Sequence, residues 1–166
     1  MAAPLTPRTR TIRPVTPGDT TALKAVIDAS GLFPSDMLDE MLAGYFSGAE
    51  DQGWLTDDES GPVGLAYFAP ERMTVGTWNL YLIAMHPDRQ GQGRGAALLR
   101  HVEQELAGRG ERVLLVETSG LPAFERTRTF YRKCGYDEEA RIRDFYQAGE
   151  DKIVFRKALN GSQPNG

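Results

Sequence analysis

Cysteine and histidine are scarce in this chain of 166 residues, which has one cysteine, Cys134, and two histidines, His86 and His101. A single cysteine excludes an internal disulfide and a cysteine-rich metal cluster. Two separated histidines give little support for a zinc site. We therefore expect no bound metal, and we expect Cys134 to be a small buried thiol rather than a nucleophile.

Long apolar runs and blocks of basic residues are also missing. No stretch approaches the length of a membrane span, and the segment Met1–Pro7 lacks the positive and apolar regions of a signal peptide. The 19 Lys and Arg residues against 23 Asp and Glu residues leave a formal net charge of −4. Nucleic acids and anionic membranes are therefore poor partners. We predict a cytoplasmic protein.

The length fits one domain with a sizeable core. Residues 1–9 are rich in Pro and Thr, and residues 160–166 are rich in Gly and Asn, so both ends are predicted to be flexible. No repeat and no linker divides the remainder. We predict a single domain over residues 10–159.

Strand and helix patterns alternate along this domain in the order β-α-α-β-β-β-α-β-α-β-β. The order predicts an α/β fold with a mixed sheet. Ser35 is a plausible N-cap of the second helix, and residues 57–62 form a polar turn between two strands. The predicted strands lie at 11–13, 54–56, 63–68, 78–85, 113–116, 141–146 and 152–156, and the third and fourth helices lie at 93–107 and between Pro122 and Gly135.

A glycine-rich loop follows the predicted strand 78–85 and opens the third helix. Glycines at alternate positions, Gly91, Gly93 and Gly95, allow successive N–H groups to point into one concavity. The dipole and the unpaired N–H groups of the helix start attract the same anion. Arg89 and Arg94 add local positive charge. This pattern favours a pyrophosphate.

A dinucleotide-binding site is a second interpretation of this loop. Gly91-x-Gly93-x-x-Ala96 satisfies the dinucleotide fingerprint, and Glu117 follows the next strand as a ribose-binding acid would. However, residues 86–90 separate the strand from the first glycine. The loop also lies in the middle of the chain, with too little sequence after it for a second nucleotide-binding half. The dinucleotide interpretation is the weaker one.

Two motifs resemble the GNAT acetyltransferases. Gln90-x-x-Gly93-x-Gly95 matches the family pattern (Arg/Gln)-x-x-Gly-x-(Gly/Ala), and residues 130–136 resemble its aromatic-Tyr pair followed by Gly-(Phe/Tyr). The element order over residues 10–159 is similar to the GNAT fold. The resemblance implies a mixed, mostly antiparallel sheet flanked by helices, built around a central β-loop-α-β acetyl-CoA unit.

The resemblance also implies that acetyl-CoA is the co-substrate and that no metal takes part in its binding. It further implies which residues bind it. Backbone groups of the preceding strand would hold its acetyl and pantetheine portion, with an N–H directed at the thioester carbonyl. Loop amides would hold its pyrophosphate. The residues at these positions are Ile83, Ala84 and Met85 in the strand, and Gln90, Gly91, Gln92, Gly93, Arg94, Gly95 and Ala96 in the loop.

Acetylation of an amine requires proton transfers. By resemblance, Tyr131 corresponds to the general-acid tyrosine of the family. Glu117 is similar in position to the catalytic glutamate of the ribosomal-protein alanine acetyltransferases, a GNAT branch. Here the segment from Glu117 to Tyr131 is about two residues longer, and residues 118–122 do not match the asparagine of that branch. Glu117 is therefore either the base or a helix-capping or solvated carboxylate, and Glu71 is the second candidate base.

The resemblance implies an N-acetyltransferase that acts on a primary amine of a small molecule or a peptide N-terminus. The alternative is a GNAT module that senses acyl-CoA without turnover. Trp78 and Asn79 are candidates for the border of the acceptor cleft, although a tryptophan at a strand start is more often core. The pair Phe145-Tyr146 is a candidate for the acceptor site. Homodimers are frequent in the family, and the fold hosts many acceptors, so the sequence does not identify the amine.

Overall fold

A computed structural model describes residues 9–159. The ends that were predicted to be flexible therefore lie outside the described residues, apart from Thr9.

The observed order of strands and helices is the predicted one. The differences are in the lengths, because most strands extend further than the apolar pattern that predicted them. The strands are β1 Arg10–Pro14, β2 Gly53–Glu59, β3 Pro62–Pro70, β4 Thr77–Met85, β5 Val113–Ser119, β6 Asp137–Gln147 and β7 Glu150–Ala158, and the helices are α1 Thr20–Ser30, α2 Leu38–Ser47, α3 Arg94–Gly108 and α4 Glu125–Lys133.

The start of α2 corrects one prediction. Ser35 is not an N-cap but the first residue of a 3-10 turn, Ser35–Met37, which Pro34 caps. The amide of Met37 donates to the carbonyl of Pro34 over 3.1 Å, and α2 then begins at Leu38. The fixed φ of Pro34 favours an immediate turn, which moves the helix start three residues along the chain.

The turn after β2 is shorter than predicted. Strand β2 continues to Glu59 and β3 begins at Pro62, so only Ser60 and Gly61 connect them. Asp57 and Glu59, which were predicted to lie in the turn, are strand residues. They pair with Ile12 and Arg10 of β1, and this pairing extends the strand despite its acidic composition.

The seven strands form one sheet in the order β1-β2-β3-β4-β5-β7-β6. Strand β4 is parallel to β5, whereas the β1–β2, β5–β7 and β6–β7 pairs are antiparallel. The predicted mixed sheet is confirmed. None of the helices within residues 9–159 is long and apolar enough to cross a membrane.

The chain divides into two compact units, and the first contains the described residues up to Tyr67 together with Leu82–Leu99. Its core lies between α1, α2 and the adjacent strands. Leu23 and Ile27 of α1 and Leu38 and Leu42 of α2 are buried there, at the helical spacing that predicted these helices. Trp54 is also buried, and its ring stacks on Tyr67 with centroids 4.4 Å apart.

The second unit contains Phe68–Tyr81 and the chain from Arg100 onward. Strand β5 lies between β4 and β7, and its residues Val113, Leu114 and Val116 are buried. The continuous apolar run therefore marks a strand covered on both faces, as predicted. Phe155 of β7 is fully buried in this unit, and Trp78 is a core residue in contact with Phe68.

Candidate active site

The glycine loop begins with contacts that hold its chain to the start of β3 and the end of β4. The amide of His86 donates to the carbonyl of Val63 over 2.7 Å. One 3-10 turn follows, Pro87–Arg89, and the Nδ1 atom of His86 accepts from the amide of Asp88. The side chain of Gln90 donates to the carbonyl of Met85 over 3.2 Å. Gln90, the first residue of the GNAT motif, thus ties the loop back to the strand.

Gly91 and Gly93 both have φ of 74°, which favours glycine over any other residue. A Cβ atom added to either one would meet no atom within 4 Å. Helix α3 begins at Arg94, and the amide of Ala97 is bonded to the carbonyl of Gly93. The N–H groups of the first turn, at residues 94–96, have no acceptor within the helix. Open space beside flexible glycines and unpaired N–H groups fits a phosphate group.

The two arginines of the loop, which were expected to add local positive charge, are held in ion pairs. Arg94 is buried, with its Nε 3.2 Å from Oδ2 of Asp57 and its NH1 3.0 Å from Oε2 of Glu59. The Nε of Arg89 lies 2.6 Å from the same Oε2 of Glu59. Hydrogen bonds from Arg89 and then Arg94 lower the pKa of Glu59 to about 2. The charges of both arginine side chains are thus balanced by carboxylates of β2.

Glu117 forms an ion pair on β5. The parallel ladder ends at Leu80 and Val116, so Glu117 follows the last position of β5 that is paired with β4. The Nζ atom of Lys152 lies 3.2 Å from Oε1 of Glu117. Lys152 itself is buried and lies 3.8 Å from the centroid of the Phe145 ring. The helical turn that follows β5 is capped by Leu121, so the helix-capping interpretation of Glu117 was wrong.

The aromatic pair Phe145-Tyr146 lies close to this carboxylate. Burial raises the pKa of Tyr146, and the negative charges of Glu117 and then Glu150 raise it further. Both aromatic rings remain about half exposed. The surroundings of Glu117 therefore include the Lys152 cation and the half-exposed rings of Phe145 and Tyr146.

Tyr131 lies on α4 with a buried ring. The ring contacts Phe130, Tyr136 and Phe155 at centroid distances of 5.2, 5.9 and 5.6 Å. Its hydroxyl forms no hydrogen bond with any residue between 9 and 159. Burial, followed by the nearby Cys134 sulfur, raises the pKa of Tyr131, so the hydroxyl stays protonated at neutral pH. Cys134 is half-buried rather than fully buried because it lies at the end of α4.

Glu71, the second candidate base, holds a buried amide. Its Oε1 atom accepts from Nδ2 of Asn79 over 2.8 Å and from the hydroxyl of Tyr81 over 3.3 Å. Asn79 is buried, and its Oδ1 atom has no hydrogen-bond partner among the described residues. The carboxylate of Glu71 thus has the side-chain amide of Asn79 as a hydrogen-bond partner, and its role as the second candidate base stays a prediction.

The first unit holds the strand end 83–85 and the whole loop, so the predicted cofactor-binding residues lie together along one stretch of chain. Glu71, Glu117 and Tyr131 lie in the second unit. Sequence reasoning missed Asp57 and Glu59, the partners of the loop arginines. Their acidic side chains at alternate strand positions were the available signal. No group of three or more His, Cys, Asp or Glu side chains within residues 9–159 is arranged to hold a metal.

Comparisons with known proteins identify the family. A family model described as "Acetyltransferase (GNAT) domain" matches residues 49–138. The [ribosomal protein bS18]-alanine N-acetyltransferase of Escherichia coli K12 is 33% identical over 93 residues, which are 54% of this chain and 62% of that protein. The chain thus matches less than two thirds of the length of this relative.

Two solved structures are similar over most of the chain. A GNAT-family protein from Desulfovibrio desulfuricans is 32% identical, with a TM-score of 0.84 over 91% of this chain and 99% of that one. A Salmonella typhimurium protein solved with its cofactor acetyl-CoA has a TM-score of 0.75 at 20% identity, over 93% of this chain and 96% of that one. These matches replace the dinucleotide-binding interpretation. The chain belongs to the GNAT family of acetyltransferases.

Proposed function

We propose that this protein transfers the acetyl group of acetyl-CoA to a primary amine of a peptide N-terminus or a small molecule. The observation that carries the proposal is the glycine loop at the start of α3, where Gly91 and Gly93 leave open space beside the first helical turn. The N–H groups of that turn have no acceptor within the helix. The Escherichia coli relatives, named for the alanine of a ribosomal protein, support a peptide N-terminus as one class of acceptor. The acetyl-CoA bound to the Salmonella typhimurium neighbour supports the choice of donor.

The chain would hold acetyl-CoA through its backbone. The N–H groups of Gly91, Gly93 and the first turn of α3 would bind the pyrophosphate. Residues 83–85, at the end of β4, would bind the acetyl and pantetheine portion. When bound, acetyl-CoA supplies an activated thioester. No charged side chain of the loop is needed for this binding, since Arg89 and Arg94 are already paired.

Glu117 would accept the proton that the acceptor ammonium must lose before its nitrogen has a free electron pair. The Nζ atom of Lys152, 3.2 Å from Oε1, holds this carboxylate in place on β5. The rings of Phe145 and Tyr146 provide exposed aromatic surface close to the same carboxylate, which suits a cationic amine.

Tyr131 would donate a hydrogen bond to the departing sulfur. Its hydroxyl is protonated and has no described partner, so it can be directed at an incoming group. Its raised pKa makes it a weak acid, which favours stabilisation of the thiolate by a hydrogen bond over complete proton transfer. The thiol proton would then come from solvent.

The test is a thiol-release assay with acetyl-CoA and a panel of amines. The panel contains peptides with N-terminal alanine, aminoglycosides, polyamines and free amino acids, and mass spectrometry identifies the acetylated product. Turnover with one class of amine is the expected result. Binding of acetyl-CoA with no turnover across the panel would instead favour the acyl-CoA-sensing module. Failure to bind acetyl-CoA would contradict both functions.

A further inference from the structure

Two acidic residues of β2 hold both ends of the glycine loop. Glu59 binds Arg89, which precedes Gly91 and Gly93, and also Arg94, which follows them, at 2.6 and 3.0 Å. Asp57 binds Arg94 a second time through Nε, at 3.2 Å. The free part of the loop is thereby reduced to the four residues between these two arginines. In the sequence, each carboxylate lies 30 to 37 positions before the arginine that it binds.

The arrangement is built into the interior of the first unit. The side chain of Asp57 is fully buried and that of Arg94 is 5% exposed. Arg10 of β1 supplies a second guanidinium to Asp57, with its NH2 atom 3.0 Å from Oδ2. Three guanidinium groups thus share two carboxylates. Removing Asp57 would leave the buried Arg94 with one carboxylate partner instead of two, which is costly.

A loop with two glycines needs such anchors because glycine loses the most conformational freedom on ordering. Fixing one residue costs roughly 1–2 kcal/mol of backbone entropy. If the loop were disordered in the free protein, this cost would be subtracted from the binding energy of any phosphate. Ion pairs on both sides of the glycines remove part of that cost before the ligand arrives.

We propose that Asp57 and Glu59 are positioning residues, which hold the glycine loop in its phosphate-binding conformation by binding Arg89 and Arg94. The inference rests on the proposed function, in which this loop holds the pyrophosphate of acetyl-CoA. It assigns the two arginines to loop geometry rather than to direct phosphate contact.

The test compares Asp57→Asn and Glu59→Gln with Asp58→Asn. Asp58 lies between the two on β2, but its side chain faces Arg13, with Oδ2 3.1 Å from Nε. It is thus an ion-paired carboxylate of the same strand that does not contact the loop. Glu59→Gln leaves the buried Asp57–Arg94 pair in place, so this variant is expected to fold even if Asp57→Asn does not.

Two readouts are measured on each variant. Hydrogen exchange of the free protein reports the order of residues 90–96 without any ligand, and calorimetric titration with coenzyme A reports affinity. We expect faster exchange in the loop and about 10-fold weaker binding, equivalent to about 1.4 kcal/mol, for Glu59→Gln and Asp57→Asn. Asp58→Asn should match the wild type in both readouts, whatever its melting temperature.

Wild-type loop exchange and affinity in a folded Glu59→Gln variant would overturn the inference. An equal effect of Asp58→Asn would also overturn it, since the change would then reflect general destabilisation. If the wild-type protein does not bind coenzyme A, the proposed function fails. The exchange data would still decide whether these carboxylates order the loop.

Discussion

Tyr131 has a buried ring and a hydroxyl with no hydrogen-bond partner among the described residues. A substitution that removes only the hydroxyl therefore tests its role in turnover without changing the packing of the ring. Tyr131→Phe keeps the contacts with Phe130, Tyr136 and Phe155. We expect turnover to fall by about 10²-fold, while melting temperature and coenzyme A affinity change little. Measuring kcat and melting temperature on the same preparation checks this. A stable variant that works at full speed would end the proposed role of the hydroxyl.

Glu117 is tested by the pH dependence of turnover. We expect Glu117→Gln to slow turnover mainly at low pH, where most of the acceptor is protonated and needs a base. The pH–rate profiles of the variant and the wild type provide the comparison. Should the profiles coincide, the base lies elsewhere, and Glu71→Gln is the next variant to measure. Because Glu71 binds Asn79, that second variant also requires a stability measurement.

At the scale of the elements, the glycine loop can be compared with a second glycine of the same geometry. Gly93 and Gly48 have φ of 74° and 73°, and a Cβ atom at either would meet nothing within 4 Å. Valine at either site should therefore cost a similar strain, roughly 1–3 kcal/mol. Only Gly93→Val should lose coenzyme A affinity, since Gly48 ends α2. Equal calorimetric affinities for the two folded variants would remove Gly93 from the cofactor site.

The ion pair between Arg13 and Asp19, just before α1, is expected to make the stability of the folded protein depend on pH. Asp19 is buried and accepts from both terminal nitrogens of Arg13 over 2.8 Å and from the amide of Thr16. The Arg13 bonds and then those from Thr16 lower the pKa of Asp19 from 3.8 to about 2, although burial opposes the shift. A lowered pKa in the folded state stabilises the protein above pH 4, and this stabilisation is lost as the pH falls towards 2.

We therefore expect Asp19→Asn to lower the free energy of unfolding at pH 7 by about 2 kcal/mol. The difference from the wild type should shrink between pH 4 and pH 2. Urea unfolding of both proteins at pH 7, 4 and 3 measures it. If the difference in free energy of unfolding stays constant over this pH range, Asp19 stabilises the fold through packing and neutral hydrogen bonds rather than through its negative charge.

At the scale of the whole molecule, ligand binding should raise the stability of the folded chain. Coenzyme A at 100 times its dissociation constant is expected to add about 2.7 kcal/mol to the free energy of unfolding. This corresponds to a rise in melting temperature of roughly 5–10 °C for a chain of this size. NAD(H) at the same concentration should produce no shift. A shift with NAD(H) alone would contradict the assignment of the loop.

The sequence alone determined the order of the elements and the place of the glycine loop. Both follow from local signals, namely apolar periodicity, Pro and Gly at the ends of elements, and glycines at alternate positions. Gly91 and Gly93 could be identified in this way because their positive φ is a property of the local backbone. The family motifs added Tyr131, whose role stays a prediction.

Only the tertiary structure determined which charged side chains form ion pairs. Arg94 and Asp57 are 37 positions apart, and Glu117 and Lys152 are 35 apart. No local pattern encodes such a pair, because side chains so distant in sequence come together only when strands and helices pack. The same holds for the length of β2, where pairing with β1 outweighs the acidic composition of residues 57–59. Local interactions thus set the elements and the loop, whereas packing determined that the loop arginines face carboxylates instead of solvent.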